Sequence, residues 1–252
     1  MKAKAIFFLV FFLTMQVSSS FAQNNNSALY KSLFKGTISK KFTGAHKITV
    51  RVKSAESTGN KWETIKYFID ATGNNMLLNK SSFSKQSTLM QSSQLEEAGS
   101  FDGWLFDHSG TSLLFSTSNE MGKIAIKQSM KSFLPVKNRA ASKPMIKLLN
   151  QQKTIAGYEC IAYQVSINTK SEKASLLCWV TKDTVAVKHA NMPFFSIFSA
   201  GSIGIPGNPK RLVLAFEGIS EGTPVQLIVE SITPHVEKMG WNNYKIMNMP
   251  SI

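Results

Sequence analysis

The sequence has 252 residues, and its 29 Lys and Arg against 15 Asp and Glu give a formal net charge of +14. This length suffices for one well-buried domain, and the basic balance favours anionic partners such as lipid head groups, lipopolysaccharide or nucleic acid. Because the sequence has no block of five or more basic residues, we expect much of the excess charge to be a solvated face.

Residues 1–22 have the pattern of a cleavable secretory signal. Lys2 and Lys4 precede an apolar run from Ile6 to Met15, which is shorter than the roughly 20 residues that a membrane-spanning helix needs. Ser20-Phe21-Ala22 then places small residues where a signal peptidase reads, and no cysteine follows for lipid attachment. We therefore expect a single soluble domain over residues 23–252, periplasmic or secreted, and export argues against nucleic acid as its partner.

The first predicted element is a short helix, which Ser27 caps and Gly36 ends. Alternating apolar residues then predict strands with one buried face. These residues are Ile48, Val50 and Val52, followed by Ile65, Tyr67 and Ile69. The run Met76-Leu77-Leu78, which follows the turn residues Gly73-Asn74-Asn75, predicts the next strand.

A hairpin comes next, because Gly103–Phe106 and Ser112–Phe115 flank the turn residues 107–110. A further strand is predicted at Lys123–Ile126, and a second short helix at Pro144–Gln151, which Ser142 caps. The remaining predicted strands are Tyr158–Ile167, Ala174–Lys182, Arg211–Phe216 and Pro224–Ile232. The predicted fold class is α+β, with a large antiparallel sheet and a few short helices.

Cys160 and Cys178 are the only cysteines, and an even pair in an exported protein suggests a disulfide. A three-residue loop centred on Thr169 would place the two cysteines directly opposite each other on neighbouring strands. We predict a structural disulfide between them. The alternative is two buried free thiols.

The sequence gives no positive sign of catalytic chemistry. The four histidines have no metal-ligand spacing, and the sparse carboxylates lie at strand ends or turns. The segment Gly201–Gly207 lacks both the Lys-Ser/Thr of a phosphate-binding loop and the spacing of a dinucleotide fingerprint. We predict a protein that is not an enzyme, with no catalytic residue, metal or cofactor.

A cluster of apolar, mostly aromatic residues precedes this glycine-rich segment. It contains Phe194, Phe195, Ile197 and Phe198. Such a segment either packs in the core or forms a mobile apolar flap over a cavity, as a lipid carrier would need.

Two segments resemble a family of exported envelope proteins of Gram-negative bacteria. They are Ile155-x-Gly157-Tyr158-x-Cys160-x-x-Tyr163 and Trp179-Val180-Thr181-Lys182-Asp183. This family is similar to the LolA-like superfamily of periplasmic lipoprotein carriers. The resemblance implies a curved, incompletely closed antiparallel β-barrel around short helices, with an apolar concave face.

The resemblance implies a periplasmic binding or carrier protein for an apolar ligand, such as the acyl chain of a lipid or lipoprotein. From the basic composition we expect basic side chains to meet the anionic head groups of a membrane surface. The ligand-lining candidates are Phe194, Phe195, Ile197, Phe198, Trp179, Tyr163 and Trp104. For the last three, a core role is the stronger expectation. The alternative function is a structural or protein-interaction module of the cell envelope, with a fully packed core and no ligand.

Overall fold

The computed structural model describes residues 34–54, 62–83, 100–118, 121–129, 145–168, 173–185, 205, 211–220 and 223–248, and most of them lie in β-strands. The strands are β1 (Phe34–Ser54), β2 (Glu63–Asp70), β3 (Asn75–Leu78), β4 (Ser100–Asp107), β5 (Thr111–Ser118), β6 (Gly122–Ser129), β7 (Met145–Ile155), β8 (Tyr158–Asn168), β9 (Lys173–Thr181), β10 (Val213–Ser220), β11 (Thr223–Pro234) and β12 (Lys238–Asn248). A 3-10 helix at Lys80–Ser82 follows β3.

The predicted α+β class is wrong, because these ranges contain no α-helix. Where a helix was predicted at Pro144–Gln151, the chain forms β7, whose ladder with β8 is interrupted between Leu148 and Gln152. The first predicted helix is wrong at its end, since β1 already begins at Phe34. The start of that helix, at Ser27, lies outside the described residues, as does the predicted secretory signal.

Strand pairing links seven strands in a closed circuit. The second half of β1 pairs with β2, and pairing continues through β3, β4, β5, β6 and β12 back to the first half of β1. The β6–β12 pair is parallel and the other pairs are antiparallel. The sheet is therefore mixed, which corrects the prediction of an incompletely closed antiparallel barrel around short helices.

The circuit returns to β1 because this long strand changes partners near Gly44. Its first half pairs with β12, whereas His46–Ser54 pair with β11. At the change the Gly44 N–H donates to the Glu237 carbonyl oxygen over 2.7 Å, and the Asn79 side-chain amide donates to the Glu237 carboxylate over 2.7 Å. The short link between β11 and β12 is thereby tied to β1 and to the end of β3.

The remaining strands extend from β1 in the order β11, β10, β9, β8 and β7. In β2, Tyr67 and Ile69 join a large cluster with Cys160, Ala162, Trp179, Leu214 and Val229 of this extension. Phe68 points to the other face, where a second cluster includes Leu105, Phe115 and Trp241. Burial on both faces explains why segments such as Met76-Leu77-Leu78 are continuously apolar.

Most of the predicted strands are confirmed, including the hairpin of β4 and β5. One carboxylate oxygen of Asp107 accepts from the backbone N–H groups of Ser109 and Thr111, over 2.9 and 3.0 Å. Gly110 has φ +80°, which a residue without Cβ adopts easily. The turn chemistry read from the sequence therefore forms as predicted.

Candidate functional site

The structure describes three of the predicted ligand-lining residues, and they lie in two separate clusters. Trp104 and Trp179, with 4 and 8 % of their surface exposed, lie in the large cluster that includes β2. Tyr163, with 7 % exposed, lies in a third cluster with Val165, Cys178, Val180, Ile205 and Val213. These three side chains are core residues. Phe194, Phe195, Ile197 and Phe198 lie outside the described residues.

The second cluster is filled by the protein's own aromatic side chains. The rings of Phe115 and Trp241 stack with centroids 4.3 Å apart and an interplanar angle of 9°, and Tyr244 meets Phe115 edge-on at 5.2 Å. Phe42, Phe68 and Leu77 complete this packing, each 4 % exposed or less. The described side chains of the second cluster therefore pack against one another.

A polar network lies beside these rings. One Asp102 carboxylate oxygen accepts from the Thr117 hydroxyl at 2.5 Å and from the Tyr244 hydroxyl at 2.9 Å. The Trp241 indole N–H also donates to the Asp102 carbonyl oxygen at 3.4 Å. The pKa of Tyr244 is raised, and burial of its hydroxyl is the largest cause. Because both hydroxyls are engaged by one carboxylate, the network serves to hold β4, β5 and β12 together.

The two cysteines are free, so the structure does not support the predicted disulfide. The predicted register is wrong: Cys160 pairs with Thr181, and Cys178 pairs with Tyr163. Cys160 therefore points into the large cluster and Cys178 into the third one, on opposite faces of the sheet. Both faces of β8 and β9 contact apolar clusters, so the apolar pattern does not distinguish one register from the next.

We expect both thiols to be unreactive in the native protein and alkylated by iodoacetamide once urea unfolds it. Burial raises the pKa of Cys160 from 9.0 to about 11 and that of Cys178 to about 12, so little nucleophilic thiolate exists at pH 8. The folded protein holds both thiol protons more tightly than the unfolded chain does. The two thiols should therefore make their full contribution to the free energy of unfolding below about pH 9, and this contribution should fall as the pH rises. Mass spectrometry of alkylated protein and urea titrations at pH 8 and 10.5 test this. Full alkylation without urea, or a disulfide mass, would contradict it.

The net positive charge of the described residues is concentrated on one section of the sheet. Here the basic section means residues 34–43 of β1 together with β6 and β12. It contains no Asp or Glu and seven lysines, all exposed: Lys35, Lys40, Lys41, Lys123, Lys127, Lys238 and Lys245. The rest of the described chain has ten Lys or Arg against nine Asp or Glu. Nearly all of the net positive charge of the described residues therefore lies in this section.

Strand pairing determines how the basic section is arranged. On β1 and β12, Lys41 lies opposite Gly240, Lys238 opposite Thr43 and Lys245 opposite Thr37. These three lysines lie on the face opposite Trp241 and Tyr244, since side chains alternate along a strand. The Lys123 amine lies on the other face, 5.6 Å above the Tyr244 ring. No motif revealed this section, because its three segments are far apart in sequence.

Two further observations concern what the described residues contain. No group of three His, Cys, Asp or Glu side chains is placed to hold a metal ion in these ranges. Among the same residues, no helix has the length and apolar character to cross a bilayer.

Comparisons with known proteins yield only remote structural likenesses. Two solved structures, "Structure of PNGF-II in C2 space group" and "Structure of PNGF-II in P21 space group", are 13 and 12 % identical with TM-scores of 0.35 and 0.36. Each alignment covers 82 % of this chain, but the chain spans only about a third of those proteins' length (31 and 32 %). No protein-family model and no curated protein matches the chain. The resemblance to exported envelope proteins therefore stays a prediction.

Proposed function

We propose that this protein is a non-enzymatic interaction module of the cell envelope that docks on an anionic lipid membrane through the basic section. The observation that carries the proposal is the segregation of charge: seven exposed lysines and no acidic residue on three neighbouring strand segments. Elsewhere in the described chain, basic and acidic residues nearly balance. An evenly solvated charge excess would not segregate in this way.

The magnitude of the effect is adequate for reversible docking. A Lys near an anionic bilayer contributes about 1 kcal/mol to binding, and this attraction falls off within a Debye length of about 8–10 Å at moderate salt. Lys41, Lys238 and Lys245 share one face of β1 and β12, so they approach a flat surface together. Docking by this face therefore contributes about 3 kcal/mol of electrostatic attraction to binding.

The predicted secretory signal agrees with this function, since it would bring the protein to envelope membranes. Carriage of an enclosed acyl chain has weaker support. Trp104, Tyr163 and Trp179 lie in packed clusters, and the Phe194–Phe198 segment lies outside the described residues. We therefore place the lipid contact at the basic section and not inside the fold.

Vesicle binding tests the proposal directly. We expect the purified protein to co-sediment with phosphatidylglycerol–phosphatidylcholine vesicles, and the triple variant K41Q/K238Q/K245Q to bind them ~100-fold more weakly. A matched variant, K66Q/K80Q/K147Q, removes the same charge from exposed lysines outside the basic section. It should lose much less affinity. Raising the salt to about 1 M should release the protein, because the Debye length then falls to about 3 Å.

Three outcomes would contradict membrane docking by this section. They are equal binding to vesicles of phosphatidylcholine alone, equal loss of affinity in the two triple variants, and binding that high salt leaves unchanged. Circular dichroism of both variants provides the folding control.

A further inference from the structure

After the basic section, a second feature of the structure indicates a binding partner. It is β7, the outer strand of the sheet extension. Among the described strands it pairs only with β8, whereas β12, at the other end of the strand order, pairs with both β6 and β1. One edge of β7 therefore has no ladder partner within the described chain. An edge of this kind presents a row of backbone N–H and C=O groups that another strand can pair with.

Two large apolar side chains of β7 are exposed to solvent on this strand. Met145 is 70 % exposed and Leu148 is 55 % exposed, which places them among the few large apolar residues exposed in the described ranges. Residues 145–148 pair in continuous register with residues 163–166 of β8, so this part of the strand is regular. An interruption of the ladder follows between Leu148 and Gln152. The regular part thus offers a template in continuous register, with an exposed apolar residue on each face.

Charge indicates which kind of segment fits. The sequence of β7 contains Lys147 and Lys153 and no acidic residue, and both lysines are exposed. Met145 and Lys147 lie on one face and Leu148 on the other, since side chains alternate. A second copy of β7 would bring lysines towards lysines, and like charges on paired strands are unfavourable. An acidic strand with apolar residues complements this edge better.

We propose that β7 accepts an extended acidic segment of a partner protein, which adds to the sheet as a further strand. Backbone hydrogen bonds to residues 145–148 hold the segment, its apolar side chains contact Leu148 on one face, and its carboxylates meet Lys147 on the other. This site is independent of membrane docking: β7 lies five strands from β1 through the extension and shares no residue with the basic section. The protein would then attach a protein partner to a membrane surface.

A short fluorescent peptide of alternating Glu and Val is the probe. We expect saturable binding by anisotropy, weakened about tenfold in Lys147→Glu, because an attractive cross-strand pair becomes repulsive. The control Lys66→Glu makes the same charge change at an exposed position of β2 and should leave the affinity unchanged. A peptide of alternating Lys and Val should show the reverse preference and bind Lys147→Glu better than the unsubstituted protein.

Two further measurements separate strand addition from simple charge attraction. A peptide methylated at alternate backbone nitrogens should lose binding, and hydrogen exchange should show new protection confined to β7 on addition of the parent peptide. The proposal is overturned by the absence of saturable binding, by equal binding of the methylated peptide, or by equal weakening in both lysine variants. Sedimentation showing a dimer that Lys147→Glu changes would assign the edge to a second copy of the chain instead.

Discussion

Replacing Trp241 with alanine is expected to lower the free energy of unfolding by about 3–5 kcal/mol. The side chain is 2 % exposed and stacks on Phe115. It also packs so closely on Gly103 that a Cβ there would lie 2.8 Å from the indole. Removing it leaves a cavity between β12, β4 and β5, because these strands are tied together and cannot collapse freely. Urea unfolding followed by circular dichroism measures the loss.

A matched substitution separates core packing from a general effect of losing tryptophan. Trp62 is 39 % exposed, so Trp62→Ala should cost little. Trp241→Phe keeps a ring against Phe115 and should fall between the two. Similar losses for Trp62→Ala and Trp241→Ala would contradict the packing described for the second cluster.

Loss of Trp241 should also affect membrane docking, because β12 is the strand that joins the three segments of the basic section. It pairs with β6 on one edge and β1 on the other. Partial unfolding of β12 would separate the lysines of the three segments. We therefore expect the vesicle affinity of Trp241→Ala to fall with temperature sooner than that of the unsubstituted protein.

Local pattern was sufficient to predict strands that have a regular alternation or a marked turn. Ile65, Tyr67 and Ile69 predicted β2, and the turn at Asp107–Gly110 predicted the β4–β5 hairpin. In these elements the residues that form the sequence pattern and the contacts that stabilise the strand or turn lie within a few residues of each other in the sequence. The same holds for most of the remaining strands.

Prediction failed where the determining contact is remote in sequence. The spacing of Met145, Leu148 and Leu149 is helical, but pairing with β8 makes β7 a strand, and its exposed edge imposes no apolar alternation. No strand was predicted at β12, in which Asn243 has φ +60° and the register with β1 shifts. The register of β8 and β9 was wrong because apolar clusters contact both of their faces.

The basic section could not be predicted from the sequence for the same reason. Lys40, Lys123 and Lys245 belong to segments that meet only through the β1–β12 and β6–β12 pairings. The sequence showed a charge excess without a location. Long-range strand pairing determines where the excess charge lies, and no local motif encodes that pairing.

Replacing Gly218 with alanine is the second substitution expected to cost several kcal/mol. Gly218 lies in β10, paired with Leu176 of β9 and Val225 of β11, and has φ +156°. A Cβ there would press on the carbonyl oxygen of Ser175 and lie 3.0 Å from the Leu176 Cα. Because backbone atoms of a neighbouring strand cannot rotate away, β9 must shift. Strain and overpacking together should lower the free energy of unfolding by about 3 kcal/mol or more.

Two other glycines allow the contributions to be separated. Gly157 has φ +84° with open space around its Cβ position, so Gly157→Ala measures the conformational strain alone, about 1–2 kcal/mol. Gly240 has open space and no positive φ, so Gly240→Ala should be nearly neutral. Urea titrations of the three variants should therefore rank Gly218→Ala as the most destabilised, then Gly157→Ala, then Gly240→Ala. Equal stability of the first two would show that β9 and β10 are not as closely spaced as described, and the apolar clusters on both faces of these strands would need a different register.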